Sequence, residues 1–210
     1  MKVLIVISFV TSLLWSNTNT EKKTTRKAVA LSLMVPGLGE LYMGEKNDAL
    51  RAFVIEGGII LTYFGFNKYA DILRNDYIKY AYQHAGARTE LDEDYYNTVE
   101  WYSSRESYNI SVREEARRLF PDDREEQLQY IRDNEIPSEL DWEWQKDNWQ
   151  IFRNLRRGER KALSNASYCI GANILNRIIS AVISSRIGKG EKLNLFLDPQ
   201  PIGIRLSYKF

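Results

Sequence analysis

An apolar stretch interrupted by one proline and two glycines constrains this chain more than any other feature. Residues 28–66 read AVALSLMVPGLGELYMGEKNDALRAFVIEGGIILTYFGF. Pro36 has no amide N–H and disfavours helical geometry in the residue before it, whereas Gly37 and Gly39 let the backbone turn or let another helix approach closely. The pattern therefore predicts an apolar helical hairpin over residues 28–66, in which two helices are joined by a tight turn.

The second apolar run of this hairpin does not by itself show whether the hairpin lies in a membrane or in a water-soluble protein. It extends from Leu50 to Phe66, and a helix over these residues is about 25 Å long at 1.5 Å per residue. That length is at the short end of the roughly 17–25 residues that cross a bilayer. Two interpretations stay open: the hairpin is inserted in a membrane, or it forms the buried core of a water-soluble protein.

One carboxylate, Glu56, lies deep in the second run, where burying an unpaired charge is strongly unfavourable. A later apolar run, from Ala166 to Ser185, offers partners because it carries a polar stripe at helical spacing. The stripe consists of Asn173, Asn176, Arg177, Ser180 and Ser184. In lipid such a stripe faces protein or water. We predict that Glu56 accepts hydrogen bonds from Arg177 and from Asn173 or Asn176; the alternative is that both charges point into water and never meet.

The hairpin motif resembles that of a known family. Pro36-Gly37-Leu38-Gly39-Glu40-Leu41-Tyr42 and Gly44, followed by an apolar helix, are similar to the PGLGQxYxG hairpin of small bacterial envelope proteins, with Glu40 in place of the usual Gln. Two families share this motif: the two-transmembrane-helix domain, and a longer domain of unknown function that often follows a signal peptide. The longer family resembles the chain more closely, over residues 28–82 and 142–187. Its further matches are Asn67, Tyr69, Trp149, Arg153, Asn176 and Arg177.

This resemblance implies an architecture and no function. Together with the residue patterns it gives a set of structural or functional candidates. They are Pro36, Gly37, Gly39, Tyr42, Glu56, Asn173, Asn176 and Arg177.

Residues 1–20 have the form of an export signal. Lys2 precedes an apolar run from Val3 to Trp15, and small polar residues follow it. The run is too short for a comfortable membrane span, and the basic residues after it oppose the usual positive-inside orientation. We expect a cleaved signal peptide over residues 1–20 and an exported protein in the cell envelope, associated with a membrane and facing the periplasm.

The remaining chain is expected to be mainly α. A helical domain over residues 21–187 would contain the apolar hairpin, a polar helical insert of amphipathic helices at 85–141 and a second helical block at 138–187. The predicted helices lie near 28–43, 49–83, 92–108, 112–120, 122–134, 139–158 and 160–187. The second block carries five basic residues, Arg153, Arg156, Arg157, Arg160 and Lys161. They either meet anionic headgroups or hold the orientation in the membrane, or they are ordinary charges at a helix C-terminus.

The C-terminal tail, residues 188–210, differs from the rest. Apolar residues alternate with small or polar ones from Ile202 to Phe210, and Pro199-Gln200-Pro201 separates this run from an earlier one at Leu193. The period of two predicts a small β-hairpin. Because an isolated hairpin is marginal in water, we expect it to pack on the helices or to pair with another envelope protein or a second copy of the chain.

The composition argues against nucleic-acid binding and against most kinds of metal, cofactor or catalytic site. Lys and Arg total 29 against 28 for Asp and Glu, a net charge of +1, so no global field attracts nucleic acid. His84 and Cys169 are the single residues of their types, which argues against a multi-ligand metal site, and the glycines around Gly37 do not form a dinucleotide fingerprint. We expect no catalytic, cofactor-binding or metal-binding residues.

Three functions remain. The first is a non-catalytic scaffold or assembly protein of the envelope membrane, the second a soluble periplasmic or secreted helical binding module, and the third an enzyme. The third is weakest because no acid, base or nucleophile clusters in the sequence.

Overall fold

Helices make up most of the structure. The computed structural model describes residues 23–190 and the backbone of 193–199 and 202–208. Within these residues seven α-helices and one short 3₁₀ helix follow one another. They are α1 Thr25–Met34, α2 Leu38–Met43, α3 Lys46–Ala85, α4 Glu93–Trp101, α5 Arg105–Leu119, α6 Arg124–Asn134, the 3₁₀ helix Ser138–Leu140 and α7 Lys146–Ile187. The predicted mainly α class is confirmed; the predicted signal peptide lies outside the described residues.

The chain divides into two compact units. Among the described residues, unit 1 comprises 23–59 and the chain from Gly171 onward, and unit 2 comprises Ile60–Ile170. The two long helices, α3 and α7, contribute residues to both.

Unit 1 contains the first part of the predicted hairpin, with one helix more than expected. The helix predicted at 28–43 is interrupted between Met34 and Leu38, because Gly37 has a positive φ of 99°. Gly44 ends α2 in the same left-handed region, and α3 begins at Lys46 rather than after Asp48. The turn before α3 is therefore shorter than predicted.

A close backbone approach explains the second motif glycine. A Cβ atom on Gly39 would lie 2.2 Å from the carbonyl oxygen of Ala28, 2.2 Å from Oγ of Ser32 and 2.4 Å from Oγ of Ser184. These distances are far below van der Waals contact, so only glycine allows α1 and α7 to pack this closely against α2.

Unit 2 has an aromatic core. Its largest fully buried apolar side chains are Trp142, Tyr77, Tyr96, Phe152 and Val99. Tyr77 packs edge-on against the rings of Tyr96 and Phe152, with centroids 5.5 and 5.8 Å apart. Such edge-to-face pairs add to the burial of the large rings.

Three indoles fix the C-terminal end of α4. Trp142 donates its ring N–H to the carbonyl of Tyr102 at 3.1 Å, Trp144 to that of Val99 at 3.0 Å and Trp149 to that of Glu100 at 3.0 Å. The last carbonyls of a helix have no partner within it, so these tryptophans take the place of the next helical turn.

Several predicted boundaries in unit 2 were wrong. The helices predicted at 92–108 and 112–120 divide elsewhere: the side chain of Ser104 caps α5, which runs without a break from Arg105 to Leu119. The helices predicted at 139–158 and 160–187 are one helix, because Gly158 lies inside α7. Asp92 and Asp123 cap α4 and α6 with their carboxylates.

No strand lies within residues 23–190, where an isolated bridge joins Ser104 and Glu143. The backbone beyond them traces an antiparallel pair, β1 Leu193–Pro199 and β2 Ile202–Tyr208. Residues 23–190 contain no strand and give the predicted C-terminal β-hairpin no support. The hairpin and its docking role therefore stay a prediction.

Two described helices, α3 and α7, are long and apolar enough to cross a membrane. Only 17% and 22% of their most apolar 18-residue windows are buried in the protein. The core helix of a soluble protein would be mostly buried, so these windows are unusual for that class.

Replacing Gly39 tests the close packing in unit 1. Gly39→Ala should destabilise the protein by about 1–3 kcal/mol, because the methyl group overlaps backbone and hydroxyl atoms. Gly57→Ala is the matched control, since its Cβ would meet nothing within 4 Å. That control should be neutral or stabilising by up to about 1 kcal/mol. Thermal unfolding followed by circular dichroism measures both, and similar effects at the two positions would contradict the packing argument.

Candidate functional site

Unit 1 has polar side chains inside and apolar side chains outside. Its fully or almost fully buried polar residues are Ser32, Glu40, Glu56, Asn176, Ser180 and Ser184. Its exposed large apolar residues include Leu33, Met34, Leu50, Val54, Ile55, Ile174, Leu175, Ile178, Ile179 and Val182. A protein in water normally buries the second group and exposes the first.

The Glu56 carboxylate lies at one centre of this polar interior. Its Oε1 accepts a hydrogen bond from the amide of Asn173 at 2.8 Å, and its Oε2 accepts one from Asn176 at 3.0 Å. Arg177 Nη2 lies 3.3 Å from Oε1. The structure thus brings together the four residues that the sequence predicted to meet, and the two amides are closer to the carboxylate than the guanidinium is.

Arg177 has a second set of contacts. Its Nη1 donates to the carbonyl of Leu33 at 3.2 Å and to that of Met34, and its Nε donates to Asn173 Oδ1 at 3.0 Å. The two carbonyls end α1, where a positive charge also interacts favourably with the helix dipole. Arg177 therefore joins α1 to the Glu56 cluster.

A second carboxylate, Glu40, is wholly buried among hydroxyls. Ser32 donates to its Oε2 at 2.9 Å and Ser180 donates to its Oε1 at 2.6 Å. Ser32 and Ser184 are 2.8 Å apart; since Ser32 uses its single proton toward Glu40, Ser184 is the donor of that pair. Among the described residues, no Lys or Arg forms an ion pair with Glu40 within 4.0 Å.

The motif residues position this network. The side chain of Pro36 is fully buried, and the backbone N–H of Gly37 donates to Ser180 Oγ at 2.9 Å. Tyr42 lies at the edge of the unit, where its ring faces Lys27 Nζ at 5.3 Å. Tyr42 does not contribute to the polar interior, whereas Pro36, Gly37 and Gly39 shape it.

The Glu40 cluster was not predicted from the sequence. Ser180 and Ser184 stood in the predicted polar stripe without an assigned partner. The available signal was that Ser32 and Glu40 are the only polar side chains between Ala28 and Leu41. Two polar residues in such a run need each other or a third partner.

Unit 2 holds a partly buried ionic network of its own. Glu100 accepts from Arg156 Nε at 2.8 Å and from both terminal nitrogens of Arg160 at 2.7 Å. Arg156 is fully buried and also bonds Glu93 and Asn97 at 2.6 Å. Burial raises the pKa of the Glu100 carboxyl, but the hydrogen bonds from Arg160 and Arg156 outweigh it and hold the pKa below its ordinary value.

These clusters are suited to holding helices in register. Their polar groups engage one another at hydrogen-bond distance, except for Nη1 of Arg156, which is buried without a hydrogen-bond partner among the described residues. Within the described part of the chain, no group of three or more His, Cys, Asp or Glu side chains is placed to hold a metal ion. Each network can hold the helices that it joins at one relative rotation.

A double-mutant cycle tests the Glu56 cluster. Glu56→Ala should cost about 3 kcal/mol, because Asn173, Asn176 and Arg177 all lose their acceptor. Arg177→Ala should cost about 1–2 kcal/mol, because the two amides still serve Glu56. The double variant should cost less than the sum of the two, with a coupling of at least about 0.5 kcal/mol. Chemical unfolding measures all three; small, additive effects would show that the residues do not act together.

The Glu100 network should make unit 2 sensitive to acid. A carboxyl whose pKa is lowered in the folded state stabilises above its ordinary pKa of 4.5, and that contribution is lost as the pH falls below it. The contribution of Glu100 to the melting temperature should therefore be lost between about pH 5 and pH 3. Glu100→Gln should melt lower at neutral pH and lose less on acidification, and parallel curves for the two proteins would count against the network.

No protein-family model, no curated protein and no solved structure matches the chain. The resemblance to the envelope family therefore rests on the motif residues alone and stays a prediction, and the inverted polarity of unit 1 is the main observation from which a function can be argued.

Proposed function

We propose that this chain is an exported, non-catalytic scaffold or assembly protein that is embedded in a membrane of the cell envelope through unit 1. The observation that carries the proposal is the exposure of apolar side chains around a polar interior. In this view the apolar exterior meets acyl chains, and the membrane replaces the buried core that a soluble protein would need.

The degree of exposure supports a lipid surface. Val54 is 66% exposed, Leu175 is 59% exposed and Met34 is 64% exposed. Single exposed apolar residues are normal on soluble proteins, but large contiguous sets mark a partner or a membrane. Because these residues lie on three different helices of unit 1, a bilayer that surrounds the unit accounts for them more simply than one docked partner.

The polar interior of unit 1 is a second observation that supports the same proposal. Ionisable residues within a membrane face the interior of a helical bundle and pair with one another. Glu40 and Glu56 are both buried and each accepts hydrogen bonds at both oxygens. Backbone polar groups are internally paired along the helices, as a bilayer requires.

Unit 2 has the polarity of a protein domain in water. Its aromatic core is buried, and α6 buries none of its residues. We propose that unit 2 provides the surface for other envelope components. The C-terminal β-hairpin would add a second contact, by pairing with another envelope protein or with a second copy of this chain.

Lysine substitution on the exterior of unit 1 separates a membrane protein from a soluble binding module. Val54→Lys and Leu175→Lys should each weaken membrane insertion by about 2.5–3.5 kcal/mol if the positions face lipid. The readout is the fraction of expressed protein that stays in the membrane after alkaline-carbonate extraction. Leu128→Lys is the control, since Leu128 is also exposed, at 43%, but lies on α6 of unit 2.

The outcomes are distinct. Wild type and the Leu128 variant should resist extraction, while the two unit 1 variants are released or degraded. If wild type is released into the supernatant, and lysines at positions 54 and 175 leave a soluble folded protein, the chain is a soluble module and the proposal fails.

A further inference from the structure

We propose that a cationic and aromatic stripe on unit 2 binds the headgroups of anionic phospholipids. The stripe consists of Trp101, Arg153, Arg157, Lys161 and Tyr168. The inference rests on the proposed membrane function and adds to it a lipid class and the residues that recognise it.

The structure separates two kinds of base within the cluster at 153–161. Arg156 is fully buried and Arg160 makes a bidentate pair with Glu100, so their charges are neutralised inside unit 2. Arg157 and Lys161 are exposed and form no ion pair within 4.0 Å of a described carboxylate. The sequence alone does not distinguish these unpaired basic residues from the paired ones in the cluster.

The basic residues of the cluster that form no ion pair with a described carboxylate share one face of α7. Arg153, Arg157 and Lys161 are spaced four residues apart, which places them along one side of the helix. After Asp147, the only carboxylate on α7 is Glu159, and it is 6% exposed. The stripe is therefore positively charged without compensation from its own helix.

Aromatic side chains hold and extend this stripe. The guanidinium carbon of Arg153 lies 5.9 Å from the ring centre of Trp101 and 5.5 Å from that of Trp149. Trp149 is itself fixed by its hydrogen bond to Glu100, so Arg153 is oriented before any ligand arrives. Trp101 and Tyr168 are 67% and 72% exposed, and amphipathic rings of this kind are enriched at the headgroup level of membranes.

The position of the stripe along α7 favours a lipid over a soluble anion. Lys161 lies five residues before Ala166, where the apolar run begins, a rise of about 7–8 Å along the helix. The basic residues thus lie just before an apolar run of the same helix, which is the arrangement of juxtamembrane basic segments that bind anionic lipids. Basic residues next to a membrane-spanning helix attract anionic lipids by about fivefold in affinity for each charge.

Native mass spectrometry of the full-length protein tests the assignment. The protein is purified in detergent and incubated with equal amounts of phosphatidylglycerol and phosphatidylcholine, and the retained lipids are counted. The test variant is Arg157→Gln/Lys161→Gln. The matched control is Arg117→Gln/Arg124→Gln, which removes two exposed charges from α5 and α6. Circular dichroism checks that both variants fold.

Wild type and the control should prefer phosphatidylglycerol, and that preference should fall by about 25-fold in the stripe variant, since it lacks two charges. Added salt should weaken the preference in wild type, a check that needs no variant. Equal retention of both lipids by wild type, or an equal loss in the control, would overturn the inference. Complete displacement of phosphatidylglycerol by inositol hexakisphosphate would assign the stripe to a soluble polyphosphate instead. Failure of the protein to stay in membranes at all would reject the proposed function, which is a separate result.

Discussion

The rotation of α3 against α7 in unit 1 depends on where the Glu56 carboxylate finds its donors. Apolar helices slide and turn against each other at little cost, because one leucine contact resembles the next. A buried carboxylate does not tolerate such freedom, since each lost hydrogen bond leaves a charge without compensation. The amides of Asn173 and Asn176 meet both of its oxygens in one register. We therefore expect the Glu56 cluster to contribute specificity more than stability, and we expect the same of the Glu40 hydroxyl network for α2 against α1 and α7.

Much of this arrangement was accessible from the sequence because it follows helical periodicity. The polar stripe on the last apolar run is visible at spacings of three and four residues, and an isolated Glu56 in a facing run needs a partner. The Glu40 cluster was not accessible in the same way, because it joins residues from three helices whose approach depends on Gly39. A glycine indicates that two backbones can come close, but the sequence does not say which two.

The helix boundaries that were wrong share a physical reason. The predicted helix end at Gly158 is wrong, because α7 continues through this residue and Arg156 and Arg160, on either side of it, both bond Glu100. The break predicted between residues 108 and 112 lies instead between Trp101 and Arg105, because Arg105 donates its backbone N–H to the carbonyl of Trp142 and Trp144 donates its own to that of Ser103. In both cases tertiary contacts decided between local signals of similar strength.

The three indoles at the end of α4 have a consequence for motion. Helix ends usually open and close on their own, since their last carbonyls exchange partners with water. At the end of α4 the carbonyls of Val99 and Glu100 are bound by Trp144 and Trp149, and that of Tyr102, just after the helix, is bound by Trp142. These tryptophans lie 40 to 49 residues later in the chain than the carbonyls that they bind. The end of this short helix therefore has no local way to open. Its amide protons should exchange with solvent only when the segment that carries the tryptophans detaches, so α4 and that segment behave as a single cooperative element.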